Sequence, residues 1–305
     1  MIKLIKKYYI ESKTGRKLFY PLKRFYDFYW VNLVSEKAYL KHLYQMTCGG
    51  ELDLDNPQTI QEKLLWLRFH NKNPLYTKCS DKYLVRSYVE DKIGDKYLTP
   101  LVLQTENSKD IIATNLPDYP VIIKTNHGCG GHIVIKDKNS VNYKKLQKYF
   151  KRMLKQNFYY RSRQWQYKNI EPCIIVEEHL QEKNNKKVTD FKLHCYNGKV
   201  DRIEVYRYHA NDNGKDLMFY TLDWKKLDMS CRTLKNNGEI PKPKNLSEMI
   251  EIAEILASDF KFVRVDTYNL DGKIFVGELT FTPAMGTQGY RPEPWSKILG
   301  DKLQL

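Results

Sequence analysis

The stretch FVRVDTYNLDGKIFVGELTF, Phe262–Phe281, leaves the chain the fewest ways to fold. Two runs rich in β-branched and aromatic residues flank Asp271-Gly272, a dipeptide that favours a tight reversal, so the stretch reads as a β-hairpin. Side chains two apart on a strand share a face. A hairpin closed at Asp271 and Gly272 therefore brings Asp266 near Glu278, with Arg264 and Thr280 on the same face among apolar neighbours. Two carboxylates and a guanidinium are costly there unless they are paired or bind a metal. An Arg–Glu salt bridge is one solution, and magnesium that also bridges phosphate oxygens is the other.

A hairpin needs sheet neighbours, and the sequence supplies them. The segments PVIIKT, HIVIK, CIIVEEHL, DFKLHCY and KVDRIEVYRY all read as strands. Helical spacing marks NPQTIQEKLLWLRFH, opened by a cap and a proline, and SDKYLVRSYVEDKIG, with Ser80 as cap and Gly94 closing it. LSEMIEIAEILASDF is a further helix between strands. Helices first, then many strands with one long helix, give an α+β enzyme with no internal repeat. EKNNKK, Glu182–Lys187, reads as an exposed loop.

Between two of these strands lies KTNHGCGGH, with Gly128, Gly130 and Gly131 in a short loop and Lys124 at its start. Such a hairpin turns amide groups outward over a phosphate, while the lysine supplies a fixed positive charge; alternatively it is a flexible hairpin with Lys124 in solvent. It is neither a Walker loop nor a dinucleotide fingerprint. His127 and His132 flank it and read as hairpin-surface histidines or as substrate contacts. The strand CIIVEEHL ends in two acids, of which Glu177 can accept from a purine amine or simply mark a strand terminus.

Net charge is +15, which suits an acidic partner such as a nucleotide, an anionic glycan or an anionic lipid. Ten Lys and Arg against three Asp and Glu fall in the first 42 residues, interleaved with Tyr20, Phe25, Tyr26, Phe28, Tyr29 and Trp30. That segment reads as a helical extension packing its aromatics on the main domain, or as a surface for an anionic membrane or an acidic partner. The six cysteines show no paired CxxC spacing, which fits a reducing compartment. With no apolar run for a signal peptide or a membrane span, the chain is expected in the cytoplasm, or at the inner face of the membrane through its basic N-terminus.

Taken in order, these elements resemble the ATP-grasp superfamily, and NPLYTKCSDKYLVRSYV, VIIKTNHGCGG, DFKLHCYNGK and GELTFTPAMG resemble its TupA-like group of cell-surface polysaccharide biosynthesis. The resemblance runs over roughly residues 50–295. It implies an α+β fold in which two α+β subdomains, about 115–180 and about 181–295, clasp Mg-ATP within a domain spanning 73–305, after a basic, mainly helical region at 1–72. Lys82 and Lys124 would bind the α and β phosphates, and the loop of Gly128, Gly130 and Gly131 would close over the γ phosphate. Glu177 would meet the adenine amine, with Glu178, His179 and Leu180 offering backbone contacts. Asp190 would reach the ribose. Lys192 would face the phosphates or the acyl intermediate. Asp266 and Glu278 would hold one or two magnesium ions, with Thr280 as a further ligand where most of the family has Asn. Arg264 would stabilise the transferring phosphoryl group. Arg202, Arg207 and Arg291 are basic positions offered to substrate.

The implied reaction joins an amine or amino acid to a uronic-acid carboxylate of a glycan precursor, in free or lipid-linked form, through an acyl phosphate, releasing ADP and phosphate. A glycosyltransferase is the alternative from another class, its DxD-type acid pair offered by DLD at Asp53–Asp55, and a sugar kinase on the same fold is a third. A nucleic-acid partner is not expected, because the ordered acids repel phosphates unless a metal intervenes.

Overall fold

The computed structural model describes residues 21–22, 25–26, 28–181, 188–208, 215–231 and 238–305. The loop expected at 182–187 and the first twenty residues lie outside them. Helices α1 (Glu36–Thr47), α2 (Ile60–His70), α3 (Pro74–Ser80) and α4 (Val85–Ile93) come first. Strands β1 (Leu101–Thr105), β2 (Val121–Thr125), β3 (Ile133–Ile135) and β4 (Ile174–Glu178) build one antiparallel sheet in the order β1-β4-β2-β3. Helix α5 (Tyr143–Leu154) buries Leu146 and Phe150 in one cluster with Val121, Ile123, Ile174 and Val176 of that sheet.

The second sheet is β10-β9-β5-β6-β7, also antiparallel, from β5 (Asp190–Tyr196), β6 (Lys199–Tyr208), β7 (Lys215–Tyr220), β9 (Phe262–Leu270) and β10 (Lys273–Thr280). Short β8 (Ser230–Cys231) and β11 (Tyr290–Arg291) pair beside it. The alternation of β5, β6 and β9 sends Leu193, Ile203, Val205, Val263 and Val265 to one face, where they pack with Met249, Ile252 and Leu256 of α6 (Leu246–Ala257). On the other face, Tyr196, Phe219 and Phe262 are covered by Ile60, Leu64 and Leu67 of α2 and by Leu299 of α7 (Trp295–Lys302). The early helices and the second sheet thus share a core. Helix α7 meets the start of α2 so closely that a Cβ on Gly300 would lie 2.0 Å from the Gln58 carbonyl oxygen.

The structure departs from the sequence expectations at several points. Helix α2 is capped not at Asn56 but at Thr59, which shares a capping box with Glu62. The helix expected over Ser80–Gly94 begins only at Val85, without a side-chain cap; Ser80 ends α3, and Asp81 organises the turn between the two helices, its Oδ1 accepting from the amides of Tyr83 and Leu84 at 2.7 and 3.2 Å. Lys82 therefore sits in a turn rather than in a helix. Strands β1 and β7 and helix α5 were not anticipated. Of the N-terminal aromatics described, Trp30 stacks on His42 at 4.3 Å and Tyr26 meets the Trp30 ring at 5.9 Å, while Phe25, Tyr26 and Phe28 remain more than half exposed.

Candidate active site in the cleft between the two sheets

The hairpin turn sets the register of the charged face as the sequence reading anticipated. Glu278 lies opposite Asp266 and Thr280 opposite Arg264, across a bulge at Gly277. Strand β5 extends the pattern, with Lys192 opposite Asp266 and, on its other side, opposite Glu204. One row of the sheet therefore runs Glu278, Asp266, Lys192 and Glu204, three acids around one base. Arg264 Nε donates to Asp266 Oδ1 at 2.6 Å, and Lys192 Nζ donates to Oδ2 at 2.7 Å. Thr280 donates to Glu278 Oε1 at 2.9 Å and accepts from Arg264 Nη2 at 3.3 Å. Its hydroxyl bridges acid and base. Burial pushes the Glu278 carboxyl up, but Lys82, Arg264 and Lys192 outweigh it and hold it down at about 2. Burial also opposes the charge on Lys192, and Asp266 restores it.

The facing wall is the β2–β3 hairpin. Its base is tied to the turn that carries Lys82: Asn126 Nδ2 donates to Asp81 Oδ2 at 2.9 Å, and the Lys82 amide donates to the Asn126 carbonyl at 3.1 Å. Lys82 Nζ then reaches the Gly128 carbonyl at 2.6 Å. Gly130 and Gly131 adopt left-handed backbone, with φ of 77° and 78°. His127 is not a surface histidine: it is buried, with Nε2 2.7 Å from the Gln156 carbonyl oxygen, and burial lowers its pKa. His132 is exposed.

Two cavities lie between the walls. The smaller, about 160 Å³, is lined by Ile122, Lys124, Glu177–Leu180, Tyr268 and Val276. Glu177 is buried there with both oxygens engaged, Oε2 by Lys124 at 2.6 Å and Oε1 by Arg86 at 3.0 Å. Lys124 is accordingly not in solvent but clamps the connector. The amides of Glu178 and His179 already donate to the carbonyls of Pro100 and Pro120, so two of the three connector amides are committed to the fold. The larger chamber, about 360 Å³, holds Lys82, Lys192, Arg264, Glu278 and Asp190, together with Tyr206, Tyr208, Lys215, Gln164 and Gln288. Asp190 accepts from Tyr208 at 2.9 Å, and its burial raises its pKa.

None of the three candidate substrate arginines lines either cavity. Arg202 is 1% exposed and donates to the hydroxyls of Tyr196 and Tyr290 and to His194 Nδ1, behind the chamber. Arg207 pairs with Asp216 at 2.8 Å, and Arg291 is exposed on β11. Asp53 uses Oδ1 to accept from the amides of Asp55 and Asn56, so the DLD acid serves a local turn. Sequence reasoning missed Arg86, Asp81 and Asn126, whose partners are brought together only by the tertiary fold. None of the six cysteines forms a disulfide, and no described helix is long and apolar enough to cross a membrane.

A family model described as TupA-like ATP-grasp matches residues 62–304. No curated protein sequence matches. Similar solved structures include the D-alanine–D-alanine ligase of Bacillus anthracis, at 15% identity and a TM-score of 0.39, over 67% of this chain and 57% of that one. The ATP-grasp ligase PsnB, complexed with minimal precursor, gives 11% identity and 0.44 over 79% and 66%. The D-cycloserine synthetase DcsG gives 12% and 0.42 over 76% and 72%. The chain thus spans less than two thirds of the length of the first of these relatives.

Proposed function

Because the chain belongs to the TupA-like ATP-grasp family, we propose that it is an ATP-dependent ligase that phosphorylates a carboxylate and joins it to an amine. One observation carries this reading: Glu278, Arg264 and Lys192 line a chamber with Lys82 and the glycine hairpin, and the buried Asp266 stands opposite Glu278 and holds both cations. Phosphoryl transfer asks for positioning and positive charge rather than a strong protein nucleophile, and Lys82, Lys192 and Arg264 supply that charge beside Glu278. In this reading the smaller cavity takes the purine and the chamber takes the phosphates and both reacting groups.

Magnesium, when bound, would neutralise phosphate charge. No cluster of three His, Cys, Asp or Glu among the described residues could hold a metal alone. The opposed carboxylates therefore fit an ion that completes its shell with phosphate and water oxygens. Glu278, engaged only by Thr280 within hydrogen-bond distance, is the more available ligand. Both oxygens of Asp266 are shared with Arg264 and Lys192, so these cations compete with an ion there. Lys82 would steady the glycine loop over the phosphates, and Arg264 would face charge developing on the transferred group.

The finer reading is that the carboxylate belongs to a uronic acid of a cell-surface glycan precursor and the amine to an amino acid, with release of ADP and phosphate. The test is calorimetric titration with Mg-ATP beside Glu278→Gln, followed by ADP-release assays over uronic acids and amines. Magnesium-dependent ATP binding that weakens at least tenfold in the variant supports the site. Binding of UDP-sugars with ATP ignored refutes it in favour of a glycosyltransferase.

A further inference from the structure

One cation of the chamber has no task in the nucleotide reading. Of the four that line it, Lys192 and Arg264 bind Asp266, and Lys82 donates to the Gly128 carbonyl. Lys215 begins β7, at the edge of the sheet farthest from β10. Among the described residues no carboxylate lies within ion-pair distance of its ammonium. Its Nζ instead lies 4.5 Å from the Tyr206 ring centroid, and Lys192 Nζ lies 5.5 Å from the same centroid. Tyr206 is itself buried, and its neighbour on that face, Tyr208, is fixed by its hydrogen bond to Asp190.

Two ammonium groups at one aromatic ring repel each other, and cation–π attraction offsets that cost only in part. Asp266 pairs directly with Lys192, whereas Lys215 is attracted to Asp190 through space, beyond ion-pair distance. An anion seated between the two ammonium groups, at the ring's edge rather than over its electron-rich face, would face both lysines and gain charge-assisted hydrogen bonds. We propose that Lys215, Lys192 and the Tyr206 ring form a subsite for an anionic group, carboxylate or phosphate, of the acceptor substrate. The assignment rests on the ligase reading above, which puts the acceptor in the larger chamber and the purine in the smaller cavity.

Wild type, Lys215→Met and Lys215→Arg are titrated calorimetrically with D-glucuronate, glucose 1-phosphate and, as the neutral control, D-glucose. Each titration contains magnesium and a non-hydrolysable ATP analogue, whose own binding is measured first. In wild type at least one anionic sugar should bind tenfold or more tighter than glucose. Lys215→Met should remove that advantage, Lys215→Arg should keep it, and analogue affinity should be the same in all three proteins. A preference for glucuronate assigns a carboxylate; a preference for glucose 1-phosphate assigns a phosphate. The subsite is overturned if neither anion outcompetes glucose, or if Lys215→Met leaves the advantage intact. Failure of the analogue to bind wild type would sink the ligase reading instead, while the same sugar titrations still decide whether Lys215 selects an anion.

Discussion

The two walls of the cleft carry charge by different means. On strands β5, β9 and β10 of the second sheet the charged groups hold one another at strand spacing: Arg264 and Lys192 on Asp266, Thr280 between Arg264 and Glu278. On the hairpin wall Lys124 is paired with Glu177 along β2, but towards the loop Lys82 and Tyr149 donate to the Gly128 and Gly131 carbonyls, and the tip is shaped by glycines. A sheet can hold opposing charges at fixed spacing without a ligand, because each offsets the other's desolvation. A loop can instead move onto a ligand, provided that its base is anchored. Asn126 and His127 anchor it here.

The largest expected effect comes from breaking the paired wall. Asp266→Ala leaves two cations side by side in a buried setting, and removal of one partner from a buried ion pair costs about 3–5 kcal/mol. Urea unfolding should show that loss, together with loss of ATP-dependent turnover. Unchanged stability would mean that the sheet charges are solvated rather than mutually compensated. Lys82→Met tests the other wall. It removes one charge-assisted hydrogen bond, worth about 2 kcal/mol, and should cost less stability than Asp266→Ala while weakening Mg-ATP binding at least tenfold. Equal effects of the two substitutions on stability would erase the difference between the walls.

That difference also decided what the sequence could reveal. Register follows from a hairpin turn and period-two alternation, both local, so the Asp266–Glu278 opposition was legible, as were the bounds of β5, β6 and β9. The bulge at Gly277 was not, because a single glycine in a strand does not announce how its partner pairs. Nor was the fate of Glu177, whose clamp by Arg86 spans 91 positions of chain. Arg202 misled for a related reason. A lone arginine on a strand looks like surface, but Tyr196 and Tyr290 close over it only in the folded chain.

Behind the paired wall, acid should reveal a third consequence of burial. His194 donates from Nε2 to Glu204 at 2.7 Å, and Nδ1 must accept from Arg202, which can only donate, so the ring is neutral. Burial, then the Arg202 charge, pulls its pKa down to about 3. Between about pH 6.5 and 3 the unfolded chain binds a proton that the folded chain refuses, so this group makes stability fall as pH falls through that window. The slope it adds is at most about 1.4 kcal/mol per pH unit. His194→Gln keeps a donor for Glu204 and an acceptor for Arg202 but cannot titrate. Unfolding at pH 6.5 and 5.5 should show the variant losing less stability than wild type over that step; identical losses would place the proton elsewhere.

The smallest effect should come from the loop tip. An alanine Cβ at Gly131 would lie 2.7 Å from Met153 Cε, and the residue's φ of 78° is one that an L side chain adopts at a cost of about 1 kcal/mol or slightly more. The methionine end can swing away, but the backbone angle cannot relax without moving the loop. Gly131→Ala should therefore lower stability by about 1 kcal/mol, and adding Met153→Ala should not restore the position of the loop. If the tip closes over phosphates, Mg-ATP affinity should fall in both the single and the double variant. Recovery of affinity in the double variant would show that the glycine serves packing against α5, and that the hairpin wall is as pre-set as the sheet it faces.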